Sequence, residues 1–109
     1  MKAVLTIAPT GPIATKAGNP ALPTSTGEIA DAVAEAYQAG AAVAHIHLRD
    51  EQQRPTADLG IARRVMDLIR DRCGILIQMS TGVGLDVPFE EREKLAELRP
   101  RMATLTRAR

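Results

Sequence analysis

The sequence predicts an α/β protein built on a parallel sheet, and three observations carry that reading. Segments rich in β-branched residues alternate with segments whose apolar residues fall at helical spacing, in the order βαβαβαβ. The repeat is roughly 30 residues, the length of a strand, a crossover helix and their loops. "ILIQMS", residues 75–80, is almost continuously apolar, as a strand buried on both faces should be. Two architectures use such a repeat, the open doubly wound sheet and the eightfold barrel.

Each element has its own warrant. "AVLTIA", 3–8, reads as the first strand and stops at Pro9. A long loop follows over 9–24, punctuated by Pro9, Gly11, Pro12, Gly18, Pro20 and Pro23, and loops of that length are commonly functional. "STGE" then forms a capping box: the Ser25 hydroxyl caps a helix and Glu28 reaches back to it. Ile29, Val33, Ala36 and Tyr37 give that helix its stripe to about Ala39, and Gly40 ends it. "AVAHIHL", 42–48, is the second strand. After a polar loop with Pro55, a second helix runs over 58–72 on Ala62, Val65, Met66, Ile69 and Cys73, and Gly74 stops it. The third strand ends in the tight turn "TGVG". Pro88 suits the first turn of a third helix, "FEEREKLAEL", whose early acids favour a helix N-terminus. "MATLT", 102–106, opens a fourth strand.

Composition bounds the function. An apolar fraction of 45%, a charged fraction of 25% and a net charge of +1 describe a soluble globular domain, with neither a nucleic-acid nor a membrane partner. Arg99, Arg101, Arg107 and Arg109 gather near the end, and a solvated face accounts for them. A single cysteine, Cys73, permits no internal disulfide, fits a reducing cytoplasm and reads as core packing. No run approaches the ~18 apolar residues of a membrane span.

The chemistry concentrates in "AAVAHIHLRD", 41–50, which holds both histidines of the chain. Alternate residues of a strand share a face, so His45 and His47 point the same way, with Val43 before them. Strand C-termini are where α/β folds keep their sites, and paired imidazoles suit zinc and other divalent metals. A catalytic zinc takes about three protein ligands, so two histidines leave its shell unfinished. Arg49 and Asp50 follow, placed to pair with each other or to bind substrate. Three further groups occupy strand ends: Thr10 and Gly11, the turn Ser80, Thr81, Gly82 and Gly84, and Thr106. The glycines would let backbone approach a ligand closely, and the hydroxyls would hydrogen-bond it.

With "NPALP", "EIADAVAEAYQAGAAVAHIHLRD", "PTAD" and "STGVG" in this order, the chain resembles the β-keto acid cleavage enzymes from residue 1 to about residue 106. That resemblance implies a (β/α)8 TIM barrel, of which residues 1–109 would be a single partial domain. About three and a half βα units are present, where a full barrel needs about 250 residues. It also implies a divalent metal, zinc foremost, and a reaction of a β-keto acid with acetyl-CoA that yields acetoacetate and a new acyl-CoA by Claisen and retro-Claisen steps. By the resemblance His45 and His47 are the imidazole ligands, Ser80 and Thr81 hydrogen-bond the substrate carboxylate, and Thr106 faces the site from the fourth strand.

Val83 stands where the family carries a glycine, and the tail "TRAR" departs from its glycine-rich fourth strand end. The family's third ligand, a late glutamate, and its late Arg and Asp pair have no counterpart here. The chain is thus expected to be the N-terminal part of such an enzyme, truncated and inactive alone. A different metal-dependent barrel hydrolase is one alternative. A non-catalytic α/β module stabilised as a homo-oligomer is another, because an open parallel edge invites a partner.

Overall fold

A computed structural model describes residues 2–83 and 86–104. Four strands, β1 (Thr6–Ile7), β2 (Val43–Ile46), β3 (Leu76–Met79) and β4 (Met102–Ala103), form one sheet. Every neighbouring pair is parallel and the spatial order is β1-β2-β3-β4. The connections are the helices α1 (Thr26–Gln38) and α2 (Leu59–Arg72), then α3 (Phe89–Glu93) continuing as a 3₁₀ segment, Lys94–Leu98. The expected order βαβαβαβ is therefore present, in a parallel sheet.

Strand order and layering limit the architecture further. Each strand lies beside its predecessor in sequence, and these four strands contain no reversal of the kind that creates a switch point in a doubly wound sheet. Both long helices also pack on one face. Ala44, Ile46, Leu48, Ile75, Ile77 and Met79 turn toward Ile29 and Val33 of α1 and Val65, Met66 and Ile69 of α2. Ile46, Val33, Val65 and Ile69 are fully buried there. At roughly 1.5–3 kcal/mol per buried aliphatic side chain, this layer is the main force holding the sheet to its helices.

The helix ends follow their sequence signals. Ser25 Oγ accepts from Glu28 N and Glu28 Oε1 accepts from Ser25 N, each at 3.1 Å, so the capping box closes. Gly40, at φ +112°, turns the chain out of α1, a conformation that disfavours any side chain. Asp58 caps α2 by accepting from Ile61 N at 2.9 Å. Tyr37, expected in the stripe of α1, instead stands 42% exposed at the last turn. The first strand pairs only over Thr6–Ile7, less than the apolar run predicts.

The opposite face of the sheet presents Thr6, Val43, Leu76, Gln78 and Met102, related by the ladder pairs Thr6 with Val43, Val43 with Leu76, and Gln78 with Met102. Leu76 and Met102 are each 41% exposed there. Among the described residues no helix is long and apolar enough to cross a membrane.

Candidate functional site

The histidines sit on this open face. His45 lies in β2 and His47 one step past its end, because the alternation of the strand carries Ile46 between them into the core. Their Nε2 atoms converge to 3.2 Å, with the ring centroids 5.0 Å apart and the planes at 70°. His45 Nδ1 is 2.7 Å from Gln78 Oε1, the residue directly opposite it in the β2–β3 ladder. Burial, followed by the neighbouring His45 and Arg49, pushes the His47 pKa down to about 4. His47 is therefore neutral near pH 7, the state in which imidazole binds a metal.

The donor geometry can be tested against a zinc-type ion. Two imidazole nitrogens held about 2.05 Å from one tetrahedral centre stand about 3.3 Å apart, and the observed 3.2 Å matches that span. The pair thus fits two positions of one shell. Among the described residues no third histidine, cysteine, aspartate or glutamate joins them.

Arg49 and Asp50 do not pair with each other, because adjacent residues of an extended chain leave it in opposite directions. Arg49 is buried, and its guanidinium holds main chain. Nη2 donates to the Gly11 and Ala14 carbonyls, both at 2.9 Å, and Nη1 donates to the Gln53 carbonyl at 3.2 Å. The loop after β1 and the turn after β2 are thereby fastened to one side chain. Gly11 accepts this bond at φ +72°. Asp50 turns outward, where its Oδ1 accepts from Gln52 N and Arg54 N at 2.9 Å and its Oδ2 pairs with Arg54 Nε at 3.1 Å. Those bonds, the backbone one from Arg54 first, lower its pKa.

Thr10 Oγ1 donates to the Pro23 carbonyl at 2.8 Å, closing the long loop on itself. Lys16 Nζ ties the same loop to α1 through the Leu22 carbonyl and Glu28 Oε2, both at 2.8 Å. A hollow of about 360 Å³ opens beside them, lined by Lys16, Ser25, Glu28, Arg49, Asp50 and Arg64 among others. Its cations are engaged internally, Lys16 by Glu28, Arg49 by carbonyls and Arg64 by Thr26 Oγ1.

At the end of β3, Ser80 and Thr81 are buried. Ser80 follows Gln78 by two residues and so continues the face that carries the histidines. Its Oγ accepts from Gly82 N at 3.1 Å, which shapes the turn. Thr81 joins the strand beside it, its hydroxyl donating to the Thr104 carbonyl. Behind the turn, Arg92 Nη1 donates to the Thr81 carbonyl at 3.1 Å, and its guanidinium lies 5.5 Å from the Phe89 ring centroid. Gly84 and Thr106 lie outside the described residues.

Two members of this constellation went unread in sequence. Gln78 had a visible signal, an amide inside a strand of aliphatic residues, and the parallel register puts it against His45. Arg92 had none, because an arginine on a short charged helix reads as solvated until the fold turns it inward.

A parallel α/β sheet that carries an imidazole pair and buried hydroxyls at its strand ends has its polar side chains where α/β folds keep their sites. Comparison places the chain more narrowly. The model of the beta-keto acid cleavage enzyme family matches residues 2–108, and the chain belongs to that family. It is 40% identical over 105 residues to the 3-keto-5-aminohexanoate cleavage enzyme of Fusobacterium nucleatum, covering 95% of this chain and 39% of the relative. It is 35% identical over 103 residues to the 3-oxoadipate:acetyl-CoA acetyltransferase of Cupriavidus necator, covering 94% and 36% respectively. A third relative, the 3,5-dioxohexanoate:acetyl-CoA acetone transferase of Paraburkholderia graminis, is 35% identical over 106 residues, 95% of this chain and 34% of its own. The chain spans between a third and two fifths of the length of these relatives.

Proposed function

We propose that residues 1–109 form the first part of a metal-dependent β-keto acid cleavage enzyme that acts on a β-keto acid and acetyl-CoA. The single observation that carries this reading is the convergence of His45 and His47 Nε2 to 3.2 Å on the open face of the sheet. The sequential strand order, with helices on one face, suits half the wall of a (β/α)8 barrel. Further strands would cover Leu76 and Met102 and add ligands to the pair. A homo-oligomer is the natural assembly for a chain that exposes such a face.

His45 and His47 would hold a divalent ion, zinc foremost by the family resemblance, and it would supply Lewis-acid polarisation of the keto group. The chain's own residues do the rest. Ser80 hydrogen-bonds the substrate carboxylate, Thr81, whose hydroxyl is given to the Thr104 carbonyl, holds the turn in place beside it, and Thr106 is by the resemblance a further hydroxyl of the site. Gly82, in the turn after Ser80 and Thr81, leaves room for that carboxylate beside the backbone. Arg49 holds the loop of Thr10 and Gly11 against the turn of Asp50, so both loops meet the substrate in one arrangement. Arg92 does the same for Thr81. Placement of the reacting groups in this way is worth several kcal/mol of barrier, and small misplacements are costly.

The test is to join residues 1–109 to the later strands of the Fusobacterium relative and assay acetoacetate from acetyl-CoA and a panel of β-keto acids. The joined protein should bind one zinc and turn over, and His45→Ala should lose both. Zinc retained by His45→Ala would refute the ligand assignment. No activity with any keto acid, in a folded zinc-loaded protein, would refute the reaction.

A further inference from the structure

We infer that Gln78 is the positioning residue that sets the tautomer of His45 and aims its Nε2 at the metal position. The inference rests on the metal reading above. Its grounds are the 2.7 Å contact between Gln78 Oε1 and His45 Nδ1 and the direct pairing of these residues across the β2–β3 ladder.

The chemistry is one of matched donors and acceptors. An amide oxygen only accepts, so His45 Nδ1 carries the hydrogen and donates it to Gln78. A neutral imidazole with its hydrogen on Nδ1 has its lone pair on Nε2. That Nε2 is the nitrogen 3.2 Å from His47 Nε2. In the metal-free protein His47 therefore supplies the hydrogen between the two Nε2 atoms. When an ion takes that place, His47 alone changes tautomer, its hydrogen moving to Nδ1, while His45 keeps its own. Gln78 thus makes one of the two ligands ready in advance.

Sheet geometry makes the arrangement rigid. Paired residues of a parallel ladder share a face, and Met79 and Ile77, which flank Gln78, are both buried among the core side chains. Their burial fixes the backbone at Gln78, so the register keeps its side chain on the face of His45. An acceptor behind a metal-bound histidine commonly contributes 10–100-fold in metal affinity.

The experiment uses Gln78→Met, which keeps the volume and removes the oxygen, and Gln78→Glu, which keeps an acceptor in the same place. Nitrogen-15 NMR of the imidazoles reads the tautomer in the metal-free chain, and zinc or cobalt titration reads affinity. His45 should be an Nδ1–H tautomer in the wild type and in Gln78→Glu. In Gln78→Met it should be a mixture, with metal affinity lower by 10–100-fold. Should Gln78→Met fail to fold, Gln78→Asn, which withdraws the amide by one methylene, makes the same comparison. An unchanged tautomer, or an unchanged affinity in a folded variant, overturns the inference. Affinity equally insensitive to His45→Ala identifies a different failure: the metal reading itself falls, and the role of Gln78 toward a metal with it.

Discussion

Arg49 makes the sharpest prediction about what the buried charge at the strand end does. Its two terminal nitrogens donate to three main-chain carbonyls, those of Gly11, Ala14 and Gln53. Hydrogen bonds from a charged donor contribute roughly 1.5 kcal/mol each at the low end, about 4–5 kcal/mol for the three. Against that stands desolvation of the guanidinium, whose Nε is buried without a partner among the described residues. Burial lowers the pKa of Arg49, which registers the same cost. Taking roughly 1–2 kcal/mol for it leaves a net near 3 kcal/mol. Arg49→Met, which keeps much of the volume and removes every donor, should lower the melting temperature by about 12–24 °C at 4–8 °C per kcal/mol. Arg49→Lys should recover only part, since an ammonium cannot span carbonyls on two loops. Circular dichroism melts of the ligand-free chain give the magnitude, and amide exchange at Ala14–Lys16 and Asp50–Arg54 locates the loosening. A variant within about 1 kcal/mol of wild type, with both loops still protected, would refute the clamp. Arg49 would then be left free to serve the substrate instead.

Two other expectations concern charge and packing. Glu28, held by Lys16 first and by the Ser25 backbone next, has its pKa lowered from 4.5 to about 2. A depressed carboxylate contributes stability above its unfolded pKa and loses it as the pH falls through the folded value, so the loss falls between pH 4.5 and about 2. The pair is exposed and screened, so urea midpoints at pH 5 and pH 3 should show only about 0.5–1 kcal/mol more acid loss in wild type than in Glu28→Gln. Glutamine preserves the capping box, and equal losses in both proteins would deny the charge its part. In the core, Ile46→Ala should cost about 2–5 kcal/mol by denaturant titration, and Leu76→Ala, on the exposed face, less than about 1 kcal/mol. A costly Leu76→Ala would mean that another chain covers that face in solution.

The features legible in sequence were those that depend on periodicity and local caps. Alternation sufficed to put His45 and His47 on one face, and "STGE" sufficed to place the start of α1, because both are short-range geometry. What failed needed the third dimension. Arg49 beside Asp50 looks like an ion pair only while the chain is a line; past the end of β2 the two side chains part, and each finds carbonyls or amides on a loop. The third helix was expected through residue 98, yet it is α-helical only to Glu93 and tightens to 3₁₀ over Lys94–Leu98. Arg99, at φ +52°, ends it. Nothing in "FEEREKLAEL" marks that change. The Gln78–His45 contact depends on register, which is set between strands and so is written in neither one alone.

The sequential strand order has a consequence for how the chain acquires its shape. Each strand's hydrogen-bonded neighbour is the strand just before or after it, and α1 packs on α2, which packs on the 3₁₀ segment that follows. Contacts of this kind close loops of modest size, which keeps the entropic barrier to each step low. Assembly can then keep pace with synthesis: α1 and β2 find β1 already made, and the imidazole pair acquires its glutamine as soon as the next strand docks. A chain organised in this way can add each unit to the one made just before it.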